Sequence, residues 1–208
     1  MTETSIFSAK AITDANILLK WIRSYICQPH PQLGREGDVC PFVQPALHNN
    51  MLHMALHYEV YGQSLAELEA VMRSYLSIFQ ACCPAERSNA LLQTLLVVFP
   101  AIPAERSTII DHAHQDLKSE FVQQGLMLGQ FHMTCSESAV HNPAFQVMVS
   151  PLPFFAIRYM AQHDILFLHQ RSDWFKHYSA RMGNAYAQGK VSNATFVRLY
   201  EAAKQRSL

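Results

Sequence analysis

Apolar residues first recur at helical spacing between positions 13 and 27, where Ile17, Leu18, Trp21, Ile22, Tyr25 and Ile26 share one stripe. A Thr13/Asp14 start signal, with Pro29 and Pro31 beyond the end, predicts a helix over 13–27. From 52 to 60 the period changes to two. Leu52, Met54, Leu56, Tyr58 and Val60 fall on one face and His53, Ala55, His57 and Glu59 on the other, the pattern of a half-buried strand. A second stripe (Leu65, Leu68, Val71, Met72, Tyr75, Phe79) predicts a helix over 64–80. Residues 91–99 are apolar on both faces, which suits a central strand bounded by Pro100 and Pro103.

Ile110, Ala113, Leu117 and Phe121 predict a helix over 105–124 closed by Gly125, and 126–133 reads as a third strand. After an irregular stretch with Pro143, Pro151 and Pro153, the segment 152–161 suits either a short helix or a fourth strand. Helices are predicted over 172–188, closed by Gly189, and over 192–206, capped by Ser192. The order implies an α+β fold: a small, mostly antiparallel sheet of three to four strands packed with helices, and a helical C-terminal part. Residues 1–208 are expected to form one domain.

Composition narrows the function classes. Sixteen basic residues balance sixteen acidic ones, which removes the broad electrostatic basis for binding nucleic acid or an anionic membrane. Only 15% of residues are charged, against an average of about 25%, so the chain is neither disordered nor ionically solvated. With seven glycines there is no Gly-rich phosphate loop. Five cysteines without a CxxC, no signal peptide and no long apolar run lead to the expectation of a reduced, cytoplasmic location.

The remaining chemistry lies in eleven histidines, the cysteines and two arginines. His53 and His57 have HxxxH spacing, but Met54 stands where a protease would carry Glu, and on a strand the rings lie about 13 Å apart. They read as polar positions on the less buried face. His112 and His114 point apart on a helix and read as solvated. His132 stands at the end of the 126–133 strand, after Gly125 and Gly129, and leads into a loop that reaches His141, a position suited to a metal or cofactor ligand and also to a hydrogen-bonded structural histidine. Cys40, followed by Pro41, is open to iron ligation, nucleophilic chemistry or packing. Arg35 lies in a Gly-rich loop, and Arg158 is embedded in an apolar run. A buried guanidinium requires a partner, either Asp164 or Glu36 within the chain or the carboxylate of a bound molecule. The pentapeptide Pro-Ala-Glu-Arg-Ser occurs at 84–88 and again at 103–107 and reads as shared turn or helix-start chemistry.

Three segments carry a resemblance: Gly37-Asp38-Val39-Cys40-Pro41-Phe42, Gly125-Leu126-Met127-Leu128-Gly129-Gln130-Phe131-His132, and Asn142-Pro143-Ala144-Phe145 leading to Ala156-Ile157-Arg158-Tyr159-Met160. Together they resemble an uncharacterised bacterial family associated with natural-product genes. More distantly, the Cys-Pro-Phe loop and the Phe-His step resemble the YqcI/YcgG-like haem proteins, some of which are N-oxygenases. That resemblance implies a haem-dependent oxygenase acting on the nitrogen of an amino-acid-like substrate in specialised metabolism. It implies haem held by His132, with Cys40 or His141 as alternatives, and a propionate or substrate carboxylate on Arg35 or Arg158. A non-catalytic small-ligand-binding or accessory protein and a non-haem metal enzyme with ligands such as His132 and His141 are the competing expectations. A small-molecule partner is expected on any of them, and a homodimer is left open.

Overall fold

The computed structural model describes residues 8–85 and 89–206. The first stripe forms α1, Ala9–Trp21, which runs without a break into one π turn, Ile22–Ile26. The helix begins ahead of the predicted start because Ser8 caps it, its Oγ accepting the Ala11 amide, while Asp14 is engaged by the Tyr58 hydroxyl. A short helix that the pattern did not predict, α2 (Val43–His48), follows the Cys40-Pro41 loop. Strand β1 (Leu52–Leu56) is shorter than its alternating pattern, since pairing with its neighbour ends there and the His57 amide makes the last bond, to the Val98 carbonyl.

Ser64 caps α3 (Leu65–Cys82) as the sequence suggests. Strand β2 (Thr94–Val98) is buried along its whole length. Residues 86–88 of the first pentapeptide lie outside the described residues; the second copy forms one 3-10 turn, Ala104–Arg106, ahead of α4 (Ile109–Gln123). Gly125, at φ +75°, ends α4 and admits β3 (Leu126–Phe131). A two-stranded hairpin, β4 (Ser138–Ala139) and β5 (Asn142–Gln146), follows.

The ambiguous segment is a strand, β6 (Phe154–Tyr159), because it is paired on both sides in the sheet centre, where tertiary pairing decides over local preference. The chain closes with α5 (Ile165–Leu168), α6 (Ser172–Ala187) and α7 (Ala194–Arg206). The side chain that receives the first α7 amides is Asn193, not Ser192: its Oδ1 accepts from Thr195 and Phe196.

The main sheet has the order β1-β2-β6-β3, with β1 and β2 parallel and the other pairs antiparallel. One face, with Leu95, Val97, Leu128, Phe155 and Ile157, packs on α3 and α4. The opposite face carries Leu96, Val98 and Phe154 beneath Leu18, Ile22 and Ile26 of the first helix. Helices α5 to α7 build a third cluster around Phe175, Tyr178 and Tyr200, tied to the sheet through Met127 and Met160. The architecture is α+β. Among the described residues, no helix is long and apolar enough to cross a membrane.

Candidate functional site

The register of the sheet makes a gap in its second face. Ala156 of β6 stands opposite Leu96 on one side and Gly129 on the other, so two minimal side chains lie next to each other. On one flank, Phe131 and Phe154 face each other across the strands and stack with centroids 4.5 Å apart and planes 3° off parallel. On the other flank stand Met127 and Arg158. A β-carbon added at Gly129 would meet a single atom within 4 Å, Phe131 Cε2 at 3.4 Å. The space above Gly129 and Ala156 forms a largely apolar cavity of about 300 Å³.

Its roof is set by the first helix and the two loops that follow β3. The π turn carries Ile22 and Ile26 to the cavity, and Trp21 meets Phe131 and Phe154 edge-on at 6.1 and 6.0 Å. Such single π turns recur at functional faces. The β4–β5 hairpin covers the opening with Ala139, Val140 and His141. It is held to the N-terminal half by Asn142 donating to the Gln32 carbonyl and by Phe145 stacking on His30 at 4.4 Å. Gly34 is required beneath it: at φ +77°, a β-carbon there would stand 2.7 Å from the His141 carbonyl oxygen.

Two polar regions interrupt the apolar wall. At one, Arg158 donates to both oxygens of Asp164, at 2.6 and 2.8 Å, and Asp164 also accepts the Ala161 amide. Asp164 is fully buried, so of the alternatives the sequence allowed, it is the partner of Arg158. His163 lies beside the pair and stacks on Phe42 at 4.7 Å. Burial holds its pKa below the ordinary range, with Asp164 opposing and Arg158 reinforcing the shift. Cys40 faces the same region, and burial pushes its thiol upward.

The second region includes His114, Lys118, Gln130 and Glu137. His114 is buried, contrary to the solvated reading of its helix face: α4 crosses the free edge of β3, and His114 Nε2 donates to the Leu128 carbonyl at 2.9 Å. Burial, with Lys118 adding to it, lowers its pKa to about 4. Lys118 is also lowered by burial, although Glu137 opposes the shift.

The residues singled out in the sequence separate into two places. Cys40, Arg35, Arg158 and His141 line the cavity. Arg35 is committed to folding its own loop, donating to the carbonyls of Glu36, Asp38 and Val39 at 2.8 to 3.0 Å. His132 does not line the cavity. It is fully buried beyond the end of β3, where Nδ1 lies 3.0 Å from Ser107 Oγ and Nε2 lies 3.0 Å from Asp111 Oδ2. His132 is thus engaged at both ring nitrogens, and both arginines are tied within the chain, while Cys40 and His141 remain on the cavity wall. His141 lines the cavity and His132 does not; the metal-ligating side chains grouped with His132 are Asp111 and Cys135.

Sequence reasoning did not single out Trp21, Lys118, Gln130, Glu137, Asp111 or Ser107. The gap at Gly129 and Ala156 has a signal, a small residue at mid-strand in each of two segments, but only register aligns them. For Asp111 and Cys135 the signal is weaker: Cys135 follows His132 by three residues at a strand end, and Asp111 lies in the first turn of a helix.

The fold and the cavity define an α+β protein with a built internal site. Residues 15–193 match the family model described as "Domain of unknown function (DUF6875)", and the chain belongs to that family. No curated protein and no solved structure matches the chain.

Proposed function

We propose that the protein binds a small molecule with an apolar, ring-sized body and a polar head in the cavity above Gly129 and Ala156. The observation that carries this reading is the gap itself: two minimal residues paired at mid-sheet, walled by aromatic rings, beside a few convergent polar groups. Mostly apolar clefts with a small number of fixed polar groups are the usual form of ligand sites, and about 300 Å³ is at the small end of their range. Arg158 and Asp164 neutralise each other and the donors of Arg35 are taken by its own loop, so Lys118 and Glu137 are the charged side chains offered to a ligand. One suits a carboxylate and the other an ammonium group, the combination an amino-acid-like ligand presents.

The test is a thermal-shift panel of aromatic and branched amino acids, with their decarboxylated and deaminated analogues, on the purified chain. An amino acid should raise Tm by roughly 5–10 °C when present at a hundred times its Kd. Lys118→Met should abolish the preference for a carboxylate, and Glu137→Gln the preference for an amine. A panel in which no member shifts Tm rejects the reading.

A second reading, a haem-dependent N-oxygenase, rests on the resemblance and on one observation: Cys40 and His141 lie on the wall of this cavity. An absorbance spectrum after reconstitution tests it, and absence of a Soret band rejects it. The five cysteines are free thiols, which supports the proposal of a reduced compartment.

A further inference from the structure

The group around His132 is separate from the cavity and is held by different elements. Asp111 comes from the first turn of α4, His132 from the residue after β3 and Cys135 from the turn beyond it. One ligand atom from each lies within 4.8 Å of the others. Asp111 Oδ2 is 3.0 Å from His132 Nε2, and Cys135 Sγ is 4.0 Å from Asp111 Oδ1. At metal–ligand bonds of about 2.0–2.3 Å, tetrahedral ligand atoms stand roughly 3.3–3.8 Å apart. The observed separations, from 3.0 Å up to the 4.8 Å limit, bracket that spacing.

The hydrogen bonds around the imidazole supply an independent observation. The Ser107 hydroxyl donates to the Ala104 carbonyl at 2.7 Å, so toward His132 Nδ1, 3.0 Å away, Ser107 acts as acceptor. Thr134 Oγ1 lies 3.0 Å from Ser107 Oγ and 3.3 Å from His132 Nδ1. Both hydroxyls hold the ring at Nδ1 and leave Nε2 directed at Asp111. With Nδ1 donating to the Ser107 oxygen, Nε2 would present its lone pair to an ion held between it and the Asp111 carboxylate. A ligating histidine whose other nitrogen donates to a fixed oxygen is the usual outer-shell arrangement of a metal site.

We propose that Asp111, His132 and Cys135 bind a zinc-class divalent ion through one carboxylate oxygen, Nε2 and the thiolate. Sulfur, nitrogen and oxygen donors in a three-residue set favour such an ion over magnesium or calcium. Binding displaces the Cys135 thiol proton to solvent as the metal–sulfur bond forms. The Asp111 side chain is 25% exposed, which gives the ion its access and leaves a fourth position for water. The ion would join the start of α4 to the end of β3. Because these residues do not line the cavity, this site and the ligand proposal stand or fall separately.

The test uses the full chain, stripped with a chelator and titrated with Co²⁺ as a spectroscopic probe, then with Zn²⁺. One equivalent of Co²⁺ should give a thiolate charge-transfer band that Zn²⁺ displaces. Zn²⁺ at a hundred times its Kd should raise Tm by roughly 5–10 °C. Cys135→Ser should remove the band, and Asp111→Asn, a change at a partly exposed position, should weaken binding by roughly ten-fold or more. Wild-type protein that shows neither band nor Tm change overturns the proposal and leaves His132 and Asp111 as a hydrogen-bonded structural pair. A band that survives Cys135→Ser overturns it equally.

Discussion

Replacing Gly129 with valine should make the protein more stable and less able to bind. Gly129 has no positive φ to protect, so a side chain costs no backbone strain there. Removing glycine from a strand interior gains about 0.5–1 kcal/mol from the unfolded chain's lost freedom, and a β-branched residue adds up to about 1 kcal/mol. The new β-carbon meets only Phe131 Cε2, at 3.4 Å, a contact that needs little or no adjustment. The expected net gain is about 1–2 kcal/mol, which at this chain length raises Tm by roughly 2–8 °C. The methyl groups meanwhile occupy the floor of the cavity between Phe131 and Ala156. Urea unfolding should show a higher midpoint at unchanged slope, and thermal-shift assays should show loss of the ligand response seen with the wild type. Were the site a packed part of the core, the same change would overpack it and cost about 1–3 kcal/mol. A destabilised variant, or a stabilised one that responds to ligand like the wild type, would refute the assignment of this space as a binding cavity.

Two further outcomes follow from the buried charges. Asp164→Ala removes the carboxylate that pairs Arg158 and accepts the Ala161 amide; leaving the guanidinium unpaired in a site where Asp164 is fully buried should cost about 3–5 kcal/mol by chemical denaturation. A loss under about 1 kcal/mol would show that the pair behaves as a surface one. His114 is neutral when folded because its pKa falls to about 4 from 6.5. The unfolded state therefore binds the extra proton between those values, so this contribution is complete above about pH 6.5 and lost as pH falls to about 4, amounting to a few kcal/mol at most. His114→Gln should flatten that part of the stability profile, and an unchanged slope would show that other groups cause it.

The chain's own pattern determined most of the elements. Helical stripes located α1, α3, α4, α6 and α7, and the doubly apolar run at β2 announced a strand buried on both faces, because burial is written into residue type at a fixed period. Boundaries were less legible, since Ser8 and Asn193 cap helices for which other residues carried equally good signals. The segment that became β6 had no decisive pattern, and pairing with β2 and β3 settled it.

The functional site was legible only in part. Cys40, Arg158 and His141 were recognisable as chemistry-bearing residues, and they do border the cavity, but their roles depend on partners far away in sequence. Arg158 is neutralised by Asp164, and the donors of Arg35 are taken by its own loop carbonyls. His132 carries a strand-end signal whose meaning came from Ser107, Asp111 and Cys135, two of them on the segment before and within another helix. Residue type and period fix how each segment folds and which face it buries. Which small residues align across strands, and which donors converge on one point, is set by register and packing between segments, and only the tertiary structure decides those.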